Sequence, residues 1–110
     1  MSYKVLYTSN FAKELKALAK KYRSIKDDLS TLIDDLGSQP IQGDEIFKNC
    51  YKIRLAIKSK GKGKSSGARV ITYVHIQGEE VFLVSIFDKS EKETINDAEL
   101  KRLLNLAGLL

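Results

Sequence analysis

Polar and apolar positions alternate and recur along the chain in a way that predicts seven elements. Tyr3 to Thr8 alternates with period two, as a short strand does, placing Tyr3, Val5 and Tyr7 on one side. Phe11, Leu15, Leu18, Ala19 and Tyr22 then recur at helical spacing, with Ser9 or Asn10 available as a cap. A second helical stripe runs through Ile25, Leu29, Leu32, Ile33 and Leu36. It begins at Ser24, with Asp27 as the partner in a capping box, and ends at Gly37 and Pro40. Residues 41–49 read as a loop. Tyr51 to Lys58, Ala68 to Ile76 and Glu80 to Phe87 read as three strands, the last two joined by the tight turn Gln77-Gly78-Glu79. Asn96, with Glu99 three residues on, opens a final helix whose buried face is Leu100, Leu103, Leu104 and Ala107.

The expected fold is therefore α+β: an N-terminal strand, an αα-hairpin, a three-stranded antiparallel meander and a C-terminal helix. Helices gathered on one face of the sheet would leave the other face open. The length of 110 residues suits one domain spanning the whole chain. No apolar run approaches the roughly 18 residues of a bilayer span, and the start of the chain lacks a signal peptide's apolar core. Cys50 is the sole cysteine, which excludes an intrachain disulfide and a cysteine-based metal cluster. A cytoplasmic protein without membrane association is expected.

Charge sharpens this picture. Net charge is +5, but residues 48–69 alone carry +8, from Lys48, Lys52, Arg54, Lys58, Lys60, Lys62, Lys64 and Arg69, with no acid. The rest of the chain is net negative. In the strand from Tyr51, the apolar residues Tyr51, Ile53, Leu55 and Ile57 alternate with Lys52, Arg54, Ala56 and Lys58, so one face carries cations. Arg69, early in the next strand, falls opposite Lys52 or Arg54. Such a patch favours a polyanion through phosphate neutralisation and counterion release; without one it is a solvated lysine loop.

Several other constellations carry less. Gly61-Lys62-Gly63-Lys64-Ser65 lacks the first glycine of a phosphate-binding loop, because Lys58 occupies that place. His75 is the only histidine, with no second ligand for a metal. Asp27-Asp28 and Asp34-Asp35 read as helix surface. The cations are different. Gathered on one face they repel, which lowers a lysine's pKa and makes Lys52 usable as a base, while arginines match phosphate oxygens. A site of that kind can cleave RNA through the RNA's own 2′-hydroxyl.

The opening Tyr3-Lys4-Val5, the segment Cys50-Tyr51-Lys52-Ile53-Arg54-Leu55, the strand Gly67-Ala68-Arg69-Val70-Ile71, and Phe82-Leu83-Val84-Ser85-Ile86 leading to Lys89-Ser90-Glu91 resemble the RelE/ParE superfamily of bacterial toxin-antitoxin toxins. The Lys/Gly loop and Asp88-Lys89-Ser90-Glu91 look closest to the HigB-like branch. The resemblance implies a metal- and cofactor-independent endoribonuclease that cleaves mRNA in the ribosomal A site and is held off by a cognate antitoxin. It implies Lys52 as the base, Arg54 in the place of a second lysine, Arg69 on the phosphate and Lys89 near the leaving group. Lys48, Lys58, Lys60, Lys62, Lys64 and Tyr73 would contact RNA or ribosome. Ile95 stands where RelE has a functional tyrosine and cannot transfer a proton, so Tyr73, Lys89 or His75 would be the acid. The alternatives are a ParE-like gyrase inhibitor and a relative that only binds RNA or antitoxin.

Overall fold

The computed structural model describes residues 2–61 and 66–110. Its elements are β1 (Lys4–Tyr7), α1 (Ser9–Lys21), α2 (Ile25–Ser38), β2 (Asp44–Phe47), β3 (Cys50–Leu55), a 3-10 turn at Lys58–Lys60, β4 (Ala68–His75), β5 (Glu80–Asp88) and α3 (Asp97–Leu106). The α+β class, the αα-hairpin and the antiparallel meander β3-β4-β5 are all present. The sheet has five strands, in the order β1-β5-β4-β3-β2, with β1 parallel to β5 and the remaining pairs antiparallel.

Residues 41–49 are not wholly loop, since they contain the edge strand β2. That strand is four residues long and its pairing with β3 is irregular between Glu45 and Phe47. Too short and too irregular for period-two alternation, it left no pattern to read.

The apolar side of the αα-hairpin meets one sheet face. Phe11, Leu15, Leu18, Ile25, Leu29 and Leu36 form a single buried cluster with Ile53, Leu55, Val70, Val74, Val81 and Leu83. The expectation of one shared face holds for α1 and α2. α3 instead seats Leu100, Leu103 and Leu104 on the opposite face, with Cys50, Ile71, Val84 and Phe87. The strand residues explain this: Ile71 and Val84 point away from α1 and α2 and are fully buried, so they require a cover of their own. Only the part of that face beside α3 stays open.

Helix starts follow side-chain chemistry. Thr8, rather than Ser9 or Asn10, caps α1: its Oγ1 accepts from the Phe11 N–H at 3.2 Å and donates to the Leu83 carbonyl at 2.9 Å. Asn96 caps α3 by accepting from the Glu99 N–H at 2.8 Å. The capping box expected at Ser24 and Asp27 does not form. Ser24 Oγ donates to Asp28 at 2.8 Å instead, and Asp28 is a buried carboxylate that also accepts from the Lys58 N–H. Asp28 thus ties α2 to the start of the β3–β4 connection and is not helix surface. Among the described residues no helix is long and apolar enough to cross a membrane.

Candidate nucleic-acid interface

The alternation of β3 decides where its cations go. Ile53 and Leu55 enter the core under α1 and α2, so Lys52 and Arg54 must emerge on the α3 face. β4 lies antiparallel alongside, with Lys52 opposite Ile71 and Arg54 directly opposite Arg69. Lys89 follows β5 immediately, and its N–H donates to the Gly67 carbonyl at 3.0 Å, which brings it back beside the start of β4. Lys52, Arg54, Arg69 and Lys89 consequently line one open cleft of about 220 Å³, together with Asp44 and Glu93. Wider grooves exist elsewhere, between α1 and the end of β5 and between α1 and α2, but neither gathers four cations.

The four differ in exposure. Arg54 is exposed, Lys52 and Lys89 are half-buried, and Arg69 is only 5% exposed. Arg69 donates from Nη1 to the Ala68 carbonyl at 3.0 Å, which fixes one prong of the guanidinium fork. Burial, then the neighbouring Arg54 charge, push the Arg69 pKa down, while Glu93 pulls it partly back. An arginine nonetheless stays protonated at neutral pH. An anion placed between Arg54 and Arg69 would reduce their mutual repulsion. Lys52 Nζ reaches the Glu93 carbonyl at 3.4 Å, and Lys89 Nζ lies 3.9 Å from the Glu93 carboxylate.

The remaining basic residues are scattered. Lys48 is exposed in the β2–β3 turn and Lys58 is exposed past the far end of β3, so the two sit at opposite ends of that strand. Lys62 and Lys64 lie outside the described residues. Lys60 turns inward: its Nζ donates to Asp88 at 2.8 Å and to the Ser66 carbonyl at 2.7 Å. Its ammonium is engaged within the protein. Asp88 also accepts from Tyr22 and from the N–H and hydroxyl of Ser90. Burial alone would raise the Asp88 pKa; the hydrogen bonds from Lys60, Tyr22 and Ser90 outweigh it and hold the carboxyl well below the usual range.

Of the three side chains suggested as acid, only Lys89 lines the cleft. Tyr73 packs on Phe82, ring centroids 6.3 Å apart, against the cluster under α3. His75 is exposed at the other end of β4, beside Glu80 at 3.4 Å. Ile95 is buried in the α3 cluster. Asp44 and Glu93 were missed in the sequence. Asp44 lies on the unrecognised strand β2, opposite Lys52. Glu93 reaches the cleft through a connection whose path no periodicity describes.

The sequence from residue 3 to residue 110 matches the family model for the RelE toxin of the RelE/RelB toxin-antitoxin system. The chain belongs to the RelE toxin family. Solved structures of RelE toxins share its fold. A free mutant of Escherichia coli toxin RelE is 23% identical with a TM-score of 0.65, over 93% of this chain and 98% of that one. The toxin-antitoxin complex RelBE2 from Mycobacterium tuberculosis gives 14% identity and a TM-score of 0.58, over 80% and 99%. The intact E. coli RelBE toxin-antitoxin complex gives 21% and 0.60, over 79% and 96%. This RelE-family chain is thus the toxin of a toxin-antitoxin system.

Proposed function

We propose that this RelE-family toxin is a ribosome-dependent mRNA endoribonuclease, acting in the cytoplasm and neutralised by a cognate antitoxin. The observation that carries the reading is the convergence of Lys52, Arg54, Arg69 and Lys89 on one cleft. An RNA backbone laid there supplies its own nucleophile. The Lys52 amine takes the 2′-hydroxyl proton, the 2′-oxygen bonds to the adjacent phosphorus, and the bond to the 5′-oxygen breaks. Arg54 and Arg69 hold the phosphoryl oxygens as negative charge builds. Lys89, the one acid candidate that lines the cleft, gives a proton to the departing 5′-oxygen. The products are a 2′,3′-cyclic phosphate and a 5′-hydroxyl, with each proton accounted for. Exposed Lys48 and Lys58, with Lys62 and Lys64, add to the pull on RNA and ribosome.

The test is cleavage of an mRNA during its translation in a reconstituted system. Wild type should cut, and Lys52→Ala and Arg69→Ala should each slow cutting by at least about 100-fold. Full cleavage by both variants, or none by wild type, removes the proposal.

A further inference from the structure

Glu93 stands in the connection between β5 and α3 and engages the cleft cations in two ways. Its backbone carbonyl accepts from Lys52 Nζ at 3.4 Å, and its carboxylate lies 3.9 Å from Lys89 Nζ. The same carboxylate partly offsets the strain that burial and Arg54 impose on Arg69. One residue therefore acts on three of the four cations that line the cleft. The Glu93 side chain is 78% exposed, so it is placed at the rim and not packed into the core.

Four cations sharing so small a space repel unless negative charge sits among them; Asp44 and Glu93 both line the cleft, and it is Glu93 whose carboxylate comes within ion-pair distance of one of the four. A substrate phosphate would seek the same partners that Glu93 now holds. We infer that Glu93 is a built-in stand-in for the substrate phosphate, a specificity-determining residue that sets how tightly the cleft holds an RNA backbone. This rests on the nuclease reading of the cleft and adds a control to it. A loose RNA must displace the carboxylate at its own expense. The same penalty applies to any RNA, but a strand held at high effective concentration by other contacts still fills the cleft where loose RNA at low concentration does not. The residue thereby biases the toxin towards pre-positioned RNA and against free RNA.

The experiment compares equilibrium binding of a single-stranded 2′-O-methyl oligoribonucleotide, which cannot be cleaved, by the full chain and four variants. Glu93→Gln removes the charge and keeps the backbone carbonyl on Lys52. Glu91→Gln removes the same charge two residues away, from a side chain whose partner is Lys21 at 3.8 Å and which does not line the cleft. Glu93→Gln should tighten binding roughly threefold at low salt, the gain shrinking as salt screens the pair, while Glu91→Gln stays near wild type. Equal affinity of Glu93→Gln and wild type, or an equal gain from Glu91→Gln, overturns the inference and leaves the nuclease reading standing. Arg69→Ala and the half-buried Lys52→Gln, a second probe should the buried arginine be needed for folding, should both bind more weakly. If Lys52→Gln and a folded Arg69→Ala bind as wild type does, the cleft is not the RNA site and both readings fall together.

Discussion

Arg54 and Arg69 face each other directly across the β3–β4 ladder, one exposed and one almost wholly buried. Like charges placed opposite one another on neighbouring strands destabilise a sheet. Arg54→Gln should therefore raise the urea midpoint, by about 0.5 kcal/mol of stability, while slowing RNA cleavage. A variant that loses both stability and activity would mean that Arg54 is held for structure.

Asp88 should govern acid stability. Its carboxyl is buried and its pKa is depressed in the folded chain by Lys60, Tyr22 and Ser90. A depressed folded pKa contributes stability that is complete above the unfolded carboxylate value of about 4 and is lost as pH falls below it. Asp88→Asn should cost about 3 kcal/mol at neutral pH, because it leaves the Lys60 ammonium without its charge partner in a mostly buried place. The variant's melting temperature should then fall less steeply than that of wild type between pH 5 and pH 2. Parallel curves would show that Asp88 does not carry the acid response.

The Cys50 thiol is fully buried under α3, and burial first, then the Glu45 charge, push its pKa up to about 12. The thiolate is the reactive form, so at pH 8 the native chain should resist iodoacetamide and label only after unfolding. Labelling of the folded chain at the rate of a free thiol would contradict this placement.

Gly43 binds the site to the turn before β2. It has a φ of +82°, and a Cβ there would come 2.1 Å from the Lys52 carbonyl oxygen. Gly43→Ala must therefore shift the backbone beneath Lys52, and a displacement of about 1 Å at a reacting group can cost about 100-fold in rate. Gly61, at φ +73°, has nothing among the described residues within 4 Å of such a Cβ. Gly61→Ala should lose about 1 kcal/mol from the left-handed backbone alone and keep its cleavage rate. Equal activity of the two variants would detach Gly43 from the site.

Much of this was legible in the sequence because it is local. The alternation of β3 fixed its apolar residues inward, and Lys52 and Arg54 followed outward by parity; the antiparallel return of β4 then brought Arg69 across. What escaped depends on partners far apart in the chain. Lys60 looks like any loop lysine until Asp88, 28 residues later, is seen to bury its ammonium. Asp28 looks like helix surface until the Lys58 N–H, 30 residues on, points at it. The seat of α3 was hidden for a related reason: Ile71 sits among cations and aromatics on its strand face, so that face reads as open until Leu100 and Leu104 cover it.

The lysine- and glycine-rich stretch is moored at its two ends to two consecutive residues, one end to Asp88 and the other to Lys89. Lys60 is fastened to Asp88 and to the Ser66 carbonyl, and Gly67 is fastened to the Lys89 N–H. The start of β4, and with it Arg69, is thereby tied to the end of β5. Loosening that tie would free the chain two residues before Arg69, so the carboxylate that answers to acid and the cleft that gathers the cations hang from one mooring.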